Sequence, residues 1–214
     1  MRDKSLEQLN REMEAAETDP FTGRRYEQFA RHMPVTTSHI LDIGCNTGRG
    51  GRVMRSRFPN ATIDGVDLVP EYVAEMSPGV YDHLAKGHVQ DYQAPEASYD
   101  ALIAGEVLEH VPLDSVDLFL DAVKRLLRPG GLFLLTTPNP HYLLLRLRSP
   151  GTGTMLGGAH VSPHCPTALH QYLRYVGFSV KKIVGSGRVS TLIGTHWPMP
   201  MYGSYLIVAQ RPSA

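Results

Sequence analysis

Short apolar runs alternate with helical patterns through the middle of this chain, and that alternation limits the folds it can adopt. Candidate strands cover residues 39–43, 61–66, 84–89, 99–104 and 132–137. Apolar residues at i, i+3, i+4 and i+7 spacing over residues 116–127 predict a helix before the last of these strands, with Asp114 as its N-cap. Strands that alternate with helices build βαβ units, so the pattern predicts an α/β fold with a mostly parallel sheet.

The two ends of the chain extend this pattern. Helices are predicted at residues 21–33 and 167–176, and Leu6, Leu9 and Met13 have helical spacing among charged residues. Two β-like runs, residues 178–184 and 205–209, close the chain. Because ligands of parallel sheets bind beyond the carboxyl ends of the strands, the segments that follow the candidate strands are where a site is expected.

The composition is that of an ordinary globular domain, with 42% hydrophobic and 20% charged residues in a chain of 214. Its 21 basic and 21 acidic residues give zero formal net charge, which argues against a dedicated nucleic-acid-binding protein. Cys45 and Cys165 form no disulfide framework, and no apolar run approaches the roughly 20 residues of a membrane span. The charged N-terminus also lacks a signal-peptide core, so we expect one soluble, cytoplasmic domain.

The segment after the first candidate strand reads LDIGCNTG (residues 41–48), and its glycines allow the backbone to approach a ligand closely. A dinucleotide fingerprint would need glycine where Asn46 and Arg49 stand, and a P-loop would need a Lys-Ser/Thr pair that is absent. Asp42 precedes the turn, and Asp67 follows the second candidate strand at the spacing where an acid commonly hydrogen-bonds a ribose hydroxyl. Two interpretations stay open: acids that bind a nucleoside, or turn-forming acids at strand ends.

Three further segments follow LDIGCNTG along the chain: GVDL (residues 65–68), SYDALIAGEVLEHV (98–111) and LLRPGGLFLLTTPN (126–139). Together they resemble the class I S-adenosylmethionine-dependent methyltransferases. They are similar, in turn, to the first cofactor motif, the acidic ribose position, the fourth-strand motif and the helix-turn-strand that follows it. The resemblance implies a seven-stranded, mostly parallel Rossmann-like sheet with an antiparallel C-terminal hairpin and helices on both faces.

The resemblance also implies S-adenosylmethionine as the cofactor, with S-adenosylhomocysteine as its product. The implied cofactor-binding residues are Asp42, Gly44, Cys45, Asn46, Gly48, Asp67, Leu68, Asp91, Tyr92, Ala104, Gly105 and Glu106. Two positions depart from the family pattern. Asn46 stands at the usual middle glycine, and His88 stands where many relatives have an acid, so Asp91 is the predicted adenine contact.

Methyl transfer to an alcohol or phenol needs a base, and histidine has a pKa near the working pH. His160 is the first candidate, because GGAHVSPHCP (residues 157–166) precedes a helix where many relatives place substrate-facing residues. His164 in the same segment and His110 in EVLEHV are the other candidates, and an ordinary structural role is the alternative for each. No metal site is predicted, because Pro163 and Pro166 break the helix that would align His160 with His164.

Residues 1–34 are predicted to form an N-terminal helical lid, with Tyr26 and Phe29 in it, and residues 35–214 the methyltransferase domain. Stretches near 140–166 and 185–204 are predicted to form substrate walls, with core packing or a homodimer contact as the alternative for the second. The expected function is methyl transfer to a small-molecule acceptor, most simply a hydroxyl of a sugar, natural product or phenol, without a nucleic-acid partner. A protein or nucleic-acid methyltransferase and a non-catalytic cofactor-binding module are the alternatives.

Overall fold

Seven strands form one sheet in the computed structural model, which describes residues 20–148 and 160–213. They are β1 (His39–Ile43), β2 (Thr62–Asp67), β3 (His83–Lys86), β4 (Tyr99–Gly105), β5 (Leu127–Pro138), β6 (Ser179–Ser186) and β7 (Ser204–Gln210). Their order across the sheet is β3-β2-β1-β4-β5-β7-β6. The first five strands are parallel, and β7 runs antiparallel to both β5 and β6. The predicted sheet and its antiparallel C-terminal hairpin are confirmed.

Helices cover both faces of this sheet. They are α1 (Thr22–Ala30), α2 (Arg49–Arg57), α3 (Glu71–Met76), α4 (Val116–Leu126), α5 (Leu143–Arg148), α6 (Pro166–Tyr175) and α7 (Ser190–Ile193). Apolar side chains of α4 and α6 build the core on one face, and those of α1 and α2 build the core on the other. None of the helices in the described ranges is long and apolar enough to cross a membrane.

The fifth strand begins earlier than its sequence indicates. Leu127 pairs with Tyr99 of β4, and Gly130 and Gly131 exchange backbone hydrogen bonds with Arg211. The sequence prediction ended the helical pattern at residue 127, took Pro129, Gly130 and Gly131 as a turn, and began the strand at residue 132. The turn residues join the strand instead, because partners distant in sequence satisfy their backbone groups.

Two other boundaries differ for local reasons. β3 ends before Gly87, whose φ of +137° turns the chain, so that Val89 lies in a 3-10 turn rather than in the predicted strand. The prediction of Asp114 as the N-cap of α4 is wrong. Asp114 lies in a 3-10 turn, and Ser115 occupies the N-cap position before Val116.

Helix α1 is fastened to the sheet by its buried side. Phe29 is fully buried, and the Gln28 side chain donates to the carbonyl of Gly185 and accepts from the Ser186 hydroxyl, both on β6. The rest of the predicted lid, with the Leu6, Leu9 and Met13 pattern, lies outside the described residues. The lid therefore stays a prediction, and α1 itself is part of the packed domain.

Candidate active site

A cavity of about 500 Å³ lies beyond the carboxyl ends of β1, β2 and β4. This is the edge at which open parallel sheets bind ligands, and the volume suits a small-molecule site. The segments after those strands, helix α1 and His160 supply much of its wall. The predicted site residues that line it are Gly44, Cys45, Asn46, Asp67, Leu68, Gly105, Glu106, His110 and His160.

The loop between β1 and α2 brings its backbone to the cavity through left-handed residues. Gly44, Asn46 and Gly48 have φ values of +69°, +46° and +74°. A Cβ on Gly44 would lie 2.5 Å from a methyl carbon of Val107, so only glycine allows this loop to approach the segment after β4. Asparagine is among the residues that tolerate the left-handed region, so Asn46 can stand in a position that is usually glycine.

Asp67, at the end of β2, holds this loop in place. Its two carboxylate oxygens accept hydrogen bonds from the backbone N–H of Asn46 at 2.8 Å and of Val69 at 2.9 Å. A carboxylate can accept about four hydrogen bonds. Asp67, which lines the cavity, therefore retains acceptor capacity for about two further donors.

Asp42 is fully buried and lies behind the cavity wall. Its carboxylate accepts hydrogen bonds from the hydroxyls of Tyr26 at 2.7 Å and Tyr81 at 2.6 Å. Burial raises the pKa of Asp42 to about 7; the two tyrosine hydrogen bonds oppose this rise, and the charge of Asp67 adds to it. Tyr26 itself lines the cavity. In the structure, Asp42 thus holds the hydroxyl of Tyr26 through a buried hydrogen bond. A direct contact of Asp42 with the cofactor stays a prediction.

Glu106 follows β4 in a left-handed conformation, with a φ of +59°. Its N–H donates to the carbonyl of Thr136, and one carboxylate oxygen accepts from the Ser204 hydroxyl at 3.3 Å. The other oxygen lies 3.5 Å from Nε of Arg25 on α1. Such a backbone is uncommon for a non-glycine residue, and here it directs a carboxylate into the cavity beside a guanidinium.

Glu109, His110 and His160 meet in the same cavity wall. The two imidazole rings pack edge to face with centroids 4.8 Å apart. Glu109 is 1% exposed, and one of its oxygens accepts from the Thr137 hydroxyl at 3.0 Å. Burial, and then the charge of Glu106, raise the pKa of the Glu109 carboxyl. One potential metal-ligating atom from each of the three residues lies within 4.8 Å of the other two.

Backbone hydrogen bonds explain why His160 lies beside His110. The N–H groups of Val161 and Ser162 donate to the carbonyl of Glu109 at 2.9 and 3.1 Å. The fully buried Ser162 hydroxyl also donates to the carbonyl of Val111 at 2.6 Å. Burial lowers the pKa of His160. These bonds join two segments about 50 positions apart along the chain, so no local sequence pattern could have revealed the pairing.

The remaining predicted site residues are placed elsewhere. Gly48 is at the N-cap of α2, and Ala104 is buried inside β4. Asp91 and Tyr92 line a separate hollow of about 220 Å³. His164 lies outside the wall of the large cavity, and burial lowers its pKa. Their cofactor and catalytic roles stay predictions.

The wall next to the end of β3 consists of residues that the sequence prediction missed. Gly87, His88, Val89 and Gln90 line the cavity there, just before Asp91. Gly87, His88 and Val89 fall inside the predicted third strand and Gln90 directly follows it, so the sequence pattern placed most of this wall in the sheet. In the predicted substrate walls, His160 lines the cavity, whereas the described residues of the 185–204 stretch are not among its lining.

A family model described as a methyltransferase domain matches residues 8–183 of this chain. The four sequence motifs, the sheet order and this match agree. The chain belongs to the class I S-adenosylmethionine-dependent methyltransferases. The solved structure of an S-adenosylmethionine-dependent methyltransferase from Archaeoglobus fulgidus has the same fold, with a TM-score of 0.70 and 18% identity, over 88% of this chain and 92% of that one.

Two curated relatives show how wide this methyltransferase family is. The fatty-acid O-methyltransferase of Mycolicibacterium smegmatis is 30% identical over 134 residues, which are 60% of this chain and 47% of that protein. The ubiquinone biosynthesis O-methyltransferase of Xylella fastidiosa is 25% identical over 158 residues, which are 71% of this chain and 60% of that protein. The chain thus spans about half to three fifths of the length of these two relatives.

Proposed function

We propose that this chain transfers a methyl group from S-adenosylmethionine to a hydroxyl of a small-molecule acceptor. The observation that carries the proposal is one cavity lined both by the glycine-rich loop with a strand-end acid and by two imidazoles. Gly44, Asn46 and Asp67, from the ends of β1 and β2, are the proposed nucleoside-binding residues, and His110 and His160 line the same cavity. The relatives named for fatty acids and ubiquinone support a small acceptor.

The polar groups of the cavity fit the parts of this cofactor. Asp67 has unused acceptor capacity for the two ribose hydroxyls. Oε1 of Glu106 is buried and, although it lies 3.5 Å from Nε of Arg25, it accepts no hydrogen bond from the described residues, so its charge suits the cationic methionyl end. Arg25 suits the cofactor's carboxylate, since guanidinium and carboxylate pair strongly. Gln90, rather than Asp91, is our proposed polar neighbour of the adenine, because Gln90 lines the cavity.

The transfer is an in-line displacement. The acceptor oxygen attacks the methyl carbon, and the new C–O bond forms while the C–S bond breaks and leaves its electron pair on sulfur. The hydroxyl proton passes to a base, for which we propose His160, whose Nδ1 is buried without a hydrogen-bond partner in the described part of the chain. His110 and His164 remain the second candidates. Alignment of the two reactants can supply roughly 7–11 kcal/mol of the barrier reduction.

The test uses S-adenosylmethionine labelled in its methyl group and a panel of fatty acids, phenols and sugars, with RNA and unfolded protein as macromolecular acceptors. We expect label in a small molecule, and His160→Ala to slow the transfer roughly 10²–10⁴-fold while leaving cofactor affinity unchanged. His39→Ala is the matched control, because His39 is exposed at the amino end of β1, the end away from the cavity. Label found only in RNA or protein would contradict a small-molecule acceptor and indicate a macromolecular one. Tight cofactor binding without any transfer would favour a non-catalytic module.

A further inference from the structure

We propose that Glu109, His110 and His160 bind one divalent transition-metal ion in the cavity wall. The binding of the ion is a property of these three side chains alone. Its consequence for catalysis rests on the proposed function, because the ion would then meet the acceptor hydroxyl.

The geometry of the three residues suits a metal centre. Their potential ligand atoms already lie within 4.8 Å of one another. Metal–ligand distances of about 2.0–2.2 Å place neighbouring ligands of a tetrahedral centre about 3.4 Å apart. Side-chain rotations that shorten these separations by about 1.4 Å would therefore bring the three atoms to ligand spacing.

Two unsatisfied buried atoms point independently to a missing ligand. Within the described ranges, Oε1 of Glu109 and Nδ1 of His160 are buried and have no hydrogen-bond partner. Leaving a buried polar group unpaired costs about 1–3 kcal/mol, and more for a charged group, so such atoms call for an explanation. A cation bound between them satisfies both, and the nearby carboxylate of Glu106 adds favourable negative charge.

The surrounding structure orients the ligands. The second oxygen of Glu109 accepts from the Thr137 hydroxyl, which fixes the plane of the carboxylate. The backbone carbonyl of Glu109 accepts from Val161 and Ser162 and thereby holds His160 next to the other two ligands. Supporting hydrogen bonds of this kind are typical of metal sites, where they set ligand orientation.

The donor set indicates which ion would bind. Two imidazoles and one carboxylate suit Zn²⁺, Co²⁺, Fe²⁺ or Mn²⁺ better than Mg²⁺ or Ca²⁺, which prefer oxygen ligands throughout. Three protein ligands leave at least one coordination position open, as in catalytic metal sites. Because His110 and His160 line the cavity, that position faces the space available to an acceptor.

The open position gives the ion a chemical role. An acceptor hydroxyl bound there has a lowered pKa and releases its proton to solvent water. The resulting oxyanion attacks the methyl carbon, and the C–S electron pair stays on sulfur as before. With the ion bound, His160 is a ligand rather than the base. Activity that depends on metal is therefore what separates the two roles of this histidine.

The test loads metal-stripped protein with Zn²⁺, Co²⁺ or Mg²⁺ and measures bound metal by equilibrium dialysis and elemental analysis. We expect one Zn²⁺ or Co²⁺ per chain, little Mg²⁺, and visible absorption from Co²⁺ held by nitrogen and oxygen ligands. Glu109→Gln and His160→Ala should each weaken Zn²⁺ binding by more than about tenfold, because loss of even a supporting partner of a metal ligand typically costs about 10–100-fold. His39→Ala, which removes an exposed histidine, should leave binding unchanged.

Circular dichroism and S-adenosylmethionine affinity show whether each variant still folds. Equal Zn²⁺ affinity of the original protein and both folded cluster variants would overturn the metal site, as would the absence of binding. If the protein binds no ion yet transfers methyl groups, only this inference fails and His160 keeps its role as base. If it binds the ion but neither binds S-adenosylmethionine nor transfers methyl groups, the proposed function fails and the metal site stands.

Discussion

Gly50 of α2 lies directly against the ring of Tyr26, and this contact makes a sharp test of how α1 is held over the cavity. A Cβ at position 50 would lie 2.1 Å from Cζ of Tyr26 and 2.3 Å from Cε1, far inside van der Waals contact. Tyr26 is 4% exposed, and its hydroxyl donates to Asp42 at 2.7 Å. Gly50→Ala must therefore displace the ring and break or lengthen a buried hydrogen bond.

The size of the effect follows from three contributions. Forcing extra atoms into a packed core costs about 1–3 kcal/mol. Loss of a buried hydrogen bond that leaves Asp42 short of a donor costs about 1–3 kcal/mol. The higher helix propensity of alanine over glycine offsets about 1 kcal/mol of this loss of stability. At mid-range these contributions lower the free energy of unfolding by about 3 kcal/mol.

Urea denaturation measures the change, and Gly23→Ala on α1 is the matched control. A Cβ at position 23 meets nothing within 4 Å, so the same substitution there should raise the free energy of unfolding by about 0.5–1 kcal/mol. The two variants thus have opposite expected signs. If Gly50→Ala were as stabilising as Gly23→Ala, Tyr26 would not lie over Gly50. In a Tyr26→Ala background, where the ring is absent, most of the cost of Gly50→Ala should disappear.

Three further predictions concern aspartates with different surroundings. Burial raises the folded-state pKa of Asp42 from 3.8 to about 7. The contribution of this carboxyl to the free energy of unfolding is therefore largest below about pH 4 and is lost as pH rises through about 7. Urea midpoints across this pH range should show the slope, and Asp42→Asn should flatten it; an unchanged slope would contradict the shift. Asp67→Ala should weaken S-adenosylmethionine affinity by about 1–3 kcal/mol in calorimetry, and unchanged affinity would refute the ribose contact. Asp100 accepts hydrogen bonds from the backbone N–H groups of Ser38 and His39 and pairs with Arg128 at 2.8 Å, so Asp100→Ala should cost about 1–3 kcal/mol of stability while S-adenosylmethionine affinity stays constant. A loss of cofactor affinity in Asp100→Ala would contradict a purely structural role.

Much of the fold could be predicted because its signals are local. The strand and helix patterns between residues 39 and 137 depend on short-range periodicity, which β1, β4 and α4 preserve nearly intact. The errors arose where residues distant in sequence determine the boundary of an element. Leu127 and Gly130 enter β5 because Tyr99 and Arg211 supply backbone partners, and neither partner is visible from the turn sequence.

The candidate site divides in the same way. Gly44 and Asp67 could be found because each lies at the carboxyl end of a strand, and the carboxyl ends of neighbouring parallel strands lie at the same edge of the sheet. The hydrogen bond from Tyr26 to Asp42, and the approach of His160 to Glu109, depend on packing between segments remote in sequence. The order of residues along the chain contains no spacing that reports such contacts.

Calorimetric titration of the folded chain with S-adenosylmethionine, and with its product S-adenosylhomocysteine, tests the central claim most directly. The cavity at the carboxyl ends of β1, β2 and β4 predicts one molecule bound per chain. It also predicts that S-adenosylhomocysteine competes for the same site and that Asp67→Ala weakens both ligands together. The assignment of this cavity to the cofactor would be contradicted if the folded protein bound neither ligand. It would also be contradicted if the Asp67→Ala variant bound both ligands as tightly as the original protein does.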